Sequence, residues 1–204
     1  KNYFRDGATA DVTRAMEATL DVLRALGAKV IEVEVPDPKK LGDLQGLVGQ
    51  AEAATIHARF MQERPQEYSL RVRTRLEAGY HISAVDYLQA QNVRPHLLRE
   101  FVDKVFGQVD LLHTPMLPFR LPTIAETEEQ PDRTIPALVG QISRNAKPVN
   151  YIGLPAIALP GGFDDNGLPA GFQLVGRPFS EALLLRAGHA FQSASDWHER
   201  APAL

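Results

Sequence analysis

Two apolar segments on either side of a turn sequence constrain the fold of this chain more than any other feature. The segments are Ala156–Pro160 and Ala170–Gly176, and the sequence Asp-Asp-Asn-Gly lies between them at 164–167. Asn-Gly tolerates the positive φ angles of tight hairpin turns, so we predict a β-hairpin with no bound metal. Ala156–Pro160 and Leu174–Val175 carry apolar residues at successive positions, a pattern typical of strands covered on both faces.

The rest of the chain has mostly helical periodicity. Helices are predicted at 10–26, 39–62, 68–78, 83–106, in the middle of 135–152 and at 181–195. Further strands are predicted at 30–35 and 109–113, and the proline-rich segment 114–136 is predicted to be a loop. This order indicates an α/β fold with four strands. Parallel sheets are built from strand–helix–strand crossovers, so an opening helix without a preceding strand indicates truncation.

Two local signals refine the helix predicted at 83–106. Ser83 and Asp86 have the spacing of a capping box, which places the start of the helix there. Pro95 lies inside the segment and should kink or split the helix, because proline removes a backbone donor and clashes with the preceding turn.

Charge and composition exclude several classes of function. The formal net charge of −3 lacks the basic excess of a nucleic-acid-binding surface. The absence of cysteine excludes disulfides, thiolate catalysis and cysteine metal sites. No apolar run approaches the ~18 residues of a membrane span, and the first residues do not have the pattern of a signal peptide. We therefore expect a cytoplasmic protein that binds neither nucleic acid nor a membrane.

The common catalytic templates are missing from the sequence. It contains no G-x-S-x-G, S-x-x-K, H-E-x-x-H, P-loop or G-x-G-x-x-G motif. Ser143 and Lys147 are four residues apart and could meet on a helix, but such spacing is common on polar helix faces, and that interpretation is favoured. His113 ends a predicted strand, where sites of α/β folds often lie. Without an adjacent acid or serine, a structural role is favoured for it.

A longer block of the sequence resembles a known family. The segment Asn150–Phe179 is similar to the C-terminal block of the amidase signature family, and the similarity continues to Phe191. Upstream, Val109–Pro118 resembles the family's strand and following Thr-Pro loop, and Leu26–Val33 and Lys1–Phe4 resemble the region after its central strand. Together these segments extend the resemblance over essentially all 204 residues.

The resemblance implies a fold and a chemistry. The family hydrolyses carboxamides to an acid and ammonia or an amine, with a serine nucleophile, a second serine in a cis peptide and a lysine base, and without a cofactor. All three residues precede the region matched here, so no catalytic residue is expected in this chain, and the chain alone should be inactive. Residues 1–204 would form the C-terminal part of a single amidase domain, whose mixed β-sheet is flanked by helices.

The resemblance also implies that the C-terminal part of the fold lines the substrate pocket. The residues expected there are Arg59, Thr114, Pro115, Met116, Ser143 and Asn150. Members that use glutamine hold its amino group with an acidic residue, at the position occupied here by Ser143. The chain is therefore expected to belong to a general amidase. The alternatives are the A subunit of a glutamine-dependent tRNA amidotransferase and a non-catalytic binding homologue.

The expected partners follow from these interpretations. They are a small-molecule amide substrate, the missing N-terminal half of the same protein, and a second copy of the chain in a homodimer. Four strands leave at least one sheet edge unpaired, and unpaired edges are sites of association. We therefore expect the chain to expose an apolar surface where the missing half docks.

Overall fold

The computed structural model describes residues 3–119, 121–125 and 140–201. Its helices are α1 (Ala10–Ala25), α2 (Pro38–Glu63), α3 (Leu70–Gly79), α4 (Ala84–Phe101), α5 (Lys147–Ile152) and α6 (Glu181–Ser193). Its strands are β1 (Leu111–Pro115), β2 (Ala156–Phe163) and β3 (Pro169–Gly176). A 3-10 turn (Pro65–Glu67) precedes α3, and a π-helical turn (Val102–Phe106) follows α4. No helix in these described ranges is long and apolar enough to cross a bilayer.

The predicted α/β class is confirmed, with one sheet in the described part of the chain. Its strand order is β1-β3-β2, and both pairs are antiparallel. Val175 of the central strand lies opposite Leu112 of β1 and Ala156 of β2. Phe172 lies opposite Pro115 and Leu159. The carboxyl end of β1 therefore lies beside the connection between β2 and β3.

The predicted hairpin is confirmed, but its connection is longer than a two-residue turn. Asp164 Oδ1 accepts hydrogen bonds from Asn166 N at 2.9 Å and from Leu168 N at 2.8 Å. Gly167 has a φ of 78°, a left-handed angle that glycine adopts without steric cost. Asn166 does not have a positive φ. The Asp164 side chain thus organises a loop over 164–168, in place of the primed turn that Asn-Gly favours.

Most predicted helices are confirmed to within a few residues, although α4 is not split at Pro95. Of the segment 135–152, the structure describes residues 140–152. They end in the helix α5 (Lys147–Ile152). Of the predicted loop 114–136, residue 120 and residues 126–136 lie outside the described residues.

Ser83 caps α4 as predicted. Its Oγ accepts from Asp86 N at 3.1 Å and donates to Asp86 Oδ2 at 2.6 Å. We expect Ser83→Ala to lower the free energy of unfolding by about 1 kcal/mol, because a helix N–H loses its acceptor. Ser180 is a matched control, since it occupies the N-cap of α6 without a capping hydrogen bond. Urea denaturation that gave equal losses for Ser83→Ala and Ser180→Ala would contradict the capping role.

The predicted strand at 30–35 is wrong. Its alternation describes burial only over 32–35, since Val33 and Val35 are buried and Glu32 and Glu34 are exposed, whereas Ile31 is also exposed. The segment nevertheless forms no β-ladder in the described part of the chain. A strand requires a neighbouring strand to receive its backbone hydrogen bonds, and side-chain alternation alone does not supply one.

The sheet separates two apolar cores. One core lies against α2, α4 and α5 and includes Phe101, Tyr151 and Val175. The other lies against α1 and α6 and includes Met16 and Phe172. The prediction that both faces are covered therefore holds for the central strand β3.

Part of β2 is covered on one face only by the described residues, as expected for a surface where a missing half docks. Leu159 is buried, but Ala156 and Ala158, which point to the opposite face, are exposed. Among the described helices, β2 makes its main contacts with α1 and α6, whereas α5 packs against α2 and α4.

Candidate functional site

The candidate site lies where β1 ends. Thr114 is buried and accepts a hydrogen bond from Gln173 Nε2 at 2.9 Å. Pro115 is fully buried. Met116, one residue beyond the strand, donates its N–H to the Gly171 carbonyl at 2.9 Å. Sheet pairing therefore fixes the backbone at three of the six predicted pocket residues.

A buried asparagine holds this strand end in place. Asn145 is fully buried, and its Nδ2 donates to Pro115 O at 2.8 Å and to Phe4 O at 2.9 Å. Gln173 Nε2 donates to the Asn145 carbonyl at 3.1 Å. Asn145 Oδ1 has no hydrogen-bond partner among the described residues. Sequence reasoning missed Asn145, because its contacts are with residues 30 and 141 positions away.

Arg144, next to Asn145 in the sequence, binds the N-terminal segment of the chain close to the end of β1. Arg144 Nη1 donates to Asp6 O at 2.9 Å, and its guanidinium carbon lies 4.5 Å from the centre of the Tyr3 ring. Arg144 Nη2 also donates to Tyr3 O. Residues 144 and 145 thus join the start of the chain to the end of β1.

A cavity of about 320 Å³ opens beside Met116. It is lined by the loop after β1, the hairpin of β2 and β3, and the first turn of α1. The lining residues are Val12, Met116, Leu117, Phe119, Leu121, Ala158, Leu159, Pro160, Asp164, Leu168, Pro169, Ala170 and Gly171. Asp164 is the one charged residue in this set. An apolar cavity with one polar group at its wall is suited to a small organic ligand.

The structure does not bring all six predicted pocket residues together. Arg59 is exposed and pairs with Glu63, with Nε and Oε1 2.8 Å apart. It is 17 residues along α2 from Gly42, which lies against Lys147. At 1.5 Å per residue this corresponds to roughly 25 Å. Arg59 is therefore remote from α5, and its predicted role in substrate binding stays a prediction.

Ser143 and Asn150 lie on the segment that leads into β2. Ser143 is half-buried, and its carbonyl accepts from Lys147 N at 3.0 Å, as in any helical turn. The described contact between Ser143 and Lys147 thus runs through their backbones. Asn150 is exposed on α5, although both of its neighbours are buried. Neither residue lines the cavity beside Met116.

His113 lies inside the second core and not at the cavity. Its ring stacks on Phe172 at 4.9 Å, and its Nε2 is 2.8 Å from Thr19 Oγ1. The single hydroxyl proton of Thr19 is donated to Met16 O at 2.7 Å, so His113 Nε2 carries the proton that it shares with Thr19. Burial, aided by the charge of Arg5, lowers the pKa of His113 to about 4. His113 is thus neutral at pH 7, in agreement with a structural role.

Comparisons with known proteins give a consistent result. The family model described as Amidase matches residues 1–185. An amidase from Pseudomonas putida is 39% identical over 207 residues, which cover 100% of this chain and 44% of that protein. The A subunit of the glutamyl-tRNA(Gln) amidotransferase of Chloroflexus aggregans is 37% identical over 227 residues, covering 100% of this chain and 45% of that protein.

A solved structure extends the likeness to the fold. A crystal structure of an amidase superposes with a TM-score of 0.78 at 28% identity, covering 93% of this chain and 43% of that one. The chain therefore spans less than half the length of each of these three relatives.

Proposed function

The chain belongs to the amidase family, and from that premise we propose that it forms the C-terminal part of an enzyme that hydrolyses carboxamides to a carboxylic acid and ammonia or an amine. The observation that carries the proposal is the family match over residues 1–185. The block at 150–179, where the resemblance is most specific, builds the end of α5 and both strands of the hairpin, one of which is the central strand β3 of the sheet.

The proposed chemistry uses a serine nucleophile, a cis-serine and a lysine that lie outside this chain. The sequence supports this division, because it contains no S-x-x-K motif. We propose that this chain contributes substrate contacts. Met116 is the strongest candidate, since it lines the cavity and its backbone is fixed by Gly171.

We further propose that residues 1–204 are the C-terminal part of a single domain whose remainder covers β2. Ala156 and Ala158 are exposed on one face of that strand. Its outer edge pairs with no strand among the described residues. An unpaired edge with small apolar side chains is suited to receiving a further strand. The alternative is that the same edge and face of β2 form the interface of a homodimer.

The second candidate function is that of an amidotransferase A subunit. The amidotransferase A subunit is 37% identical over the whole of this chain, nearly as close as the amidase at 39%. The resemblance places an acidic residue of the glutamine-using members at the position of Ser143. A serine cannot supply a counter-charge to the amino group of glutamine, and we therefore favour the general amidase.

The test compares two polypeptides in an ammonia-release assay. We expect the complete product of the gene to hydrolyse simple carboxamides such as phenylacetamide and acetamide, and residues 1–204 alone to hydrolyse neither. Glutamine is the third substrate, and rapid release of ammonia from glutamine would favour the amidotransferase function. Hydrolysis by residues 1–204 that Ser143→Ala abolishes would show that the catalytic serine lies in this chain, and would contradict the proposal.

A further inference from the structure

Phe179 is more exposed than any other large apolar residue in the described part of the chain. It exposes 95% of its surface, although it stands directly before the N-cap of α6, Ser180. An apolar residue at this position often packs onto the fourth residue of the helix, which here is Leu184. Leu184 is buried against the sheet, and the exposure of Phe179 shows that the two do not pack in this way. Packing within the described residues therefore does not account for an aromatic side chain at 179.

The backbone at Phe179 is also unusual. Residues 177–180 form a turn in which Ser180 N donates to Arg177 O at 3.1 Å. Pro178 is the second residue of the turn, and Phe179 is the third, with a φ of 64°. A left-handed third residue after proline is typical of type II turns, where glycine or asparagine avoids the steric strain of a Cβ atom. The position thus carries a strained backbone and a hydrated aromatic ring together.

The turn holds this conformation in place. Ser180 Oγ donates to Arg177 O at 2.7 Å. Arg177 Nη2 donates to the carbonyl of Phe106, a fully buried residue, and so ties the turn to the first core. The ring of Pro178 restricts one further backbone angle. The backbone that presents Phe179 is therefore fixed before any partner binds, which lowers the entropy lost on docking.

The turn lies at the end of the sheet where β2 begins. Gly176, the last residue of β3, donates its N–H to Pro155 O at 2.9 Å. The next residue, Ala156, belongs to the exposed face of β2. Phe179 follows Gly176 by three residues, so it lies within about 11 Å of it. Phe179 is therefore close to the surface of β2 that we assign to the remainder of the domain.

The comparisons favour that remainder as the partner of Phe179. The family match over residues 1–185 includes Phe179. The matched part is 44% of the Pseudomonas putida amidase and 43% of the superposed amidase. More than half of each of these proteins is thus further polypeptide, which in a single domain packs against the surface of the matched part.

We propose that Phe179 is an anchor residue, whose ring inserts into an apolar pocket formed by the remainder of the amidase domain. The inference rests on the proposed division of one domain and names the residue that joins its two parts. A phenylalanine covers about 150–250 Å² when buried, and aromatic residues presented on a fixed backbone make effective anchors.

The first experiment measures hydroxyl-radical oxidation of Phe179 in the complete product of the gene, by mass spectrometry. A synthetic peptide of residues 174–184 is the exposed reference. We expect oxidation of Phe179 to be about tenfold slower in the protein than in the peptide, in proportion to the area that docking covers. Equal rates would overturn the inference. Protection that disappears when the protein is diluted to monomers would also overturn it, because the partner would then be a second copy.

The second experiment uses the sign of a stability change. Glycine relieves the left-handed strain, so Phe179→Gly would leave the Tm of the complete protein unchanged or higher if the ring remained in water. For a docked ring we expect Phe179→Gly to lower the Tm by about 3–5 °C, because a buried aromatic side chain is lost. Phe179→Leu keeps much of the apolar volume and should lower the Tm clearly less. An unchanged or higher Tm in Phe179→Gly would contradict the anchor role.

Neither experiment requires a substrate, so the inference and the proposed function fail separately. Protection of Phe179 without hydrolysis of any carboxamide would overturn the proposed function and support the anchor. Hydrolysis by a protein in which Phe179 is oxidised as fast as in the peptide would support the function and overturn the anchor.

Discussion

Replacement of Phe172 by alanine is expected to lower the free energy of unfolding by about 3–5 kcal/mol. Phe172 lies in the central strand β3 with no exposed surface. The centre of its ring lies 4.9 Å from that of His113 on β1 and 4.8 Å from that of Phe191 on α6, so it links β1 and α6 to the central strand. Truncation would leave a void between α6 and the strands β1 and β3, and the two strands cannot close it because their backbones are paired in the sheet. Chemical denaturation of the protein measures the loss.

Two variants control for this effect. Phe60→Ala removes the same atoms from a half-exposed position on α2, and it should cost far less, because less apolar surface returns to water. Phe172→Leu retains most of the volume and should cost clearly less than Phe172→Ala. A loss for Phe172→Ala no larger than that for Phe60→Ala would show that this core does not stabilise the sheet.

Acidification is expected to destabilise the protein through His113. Burial holds its pKa at about 4 in the fold, whereas the unfolded chain has the ordinary value of 6.5. Above pH 6.5 both states are neutral, and His113 adds no pH dependence. As the pH falls from 6.5 to 4, the unfolded state binds a proton that the folded state does not, so stability is lost. At about 1.36 kcal/mol per pH unit, the loss approaches roughly 3 kcal/mol near pH 4.

The measurement is a series of denaturation curves between pH 7 and pH 4. We expect His113→Gln to flatten the dependence of the unfolding free energy on pH in this interval. His189→Gln is the matched control, because His189 is exposed on α6 and its replacement should leave the slope unchanged. An unchanged slope in His113→Gln would mean that the histidine is not held neutral by the fold.

Loss of Phe172 should also change the behaviour of His113, because the two rings are stacked. Water that enters the void left by Phe172→Ala would solvate the imidazolium and raise the pKa of His113 towards its ordinary value. The two effects are therefore coupled, and their double mutant should deviate from additivity.

The sequence by itself determined the features that depend on neighbouring residues. Ser83 and Asp86 placed the start of α4, and the apolar segments around 164–167 placed the hairpin, because caps and turns are formed by side chains a few positions apart. The block at 150–179 was sufficient to indicate the family, because a long contiguous motif can be recognised in the sequence before the fold is known.

Tertiary structure decided what depends on distant parts of the chain. Whether 30–35 formed a ladder depended on a partner strand, and which face of β2 was covered depended on where α1 and α6 packed. The role of Asn145 arose from contacts with Phe4 and Pro115, and the remoteness of Arg59 arose from the length of α2. Periodicity reports that a side chain is buried but not what it is buried against, because that is decided only when segments far apart in the chain pack together.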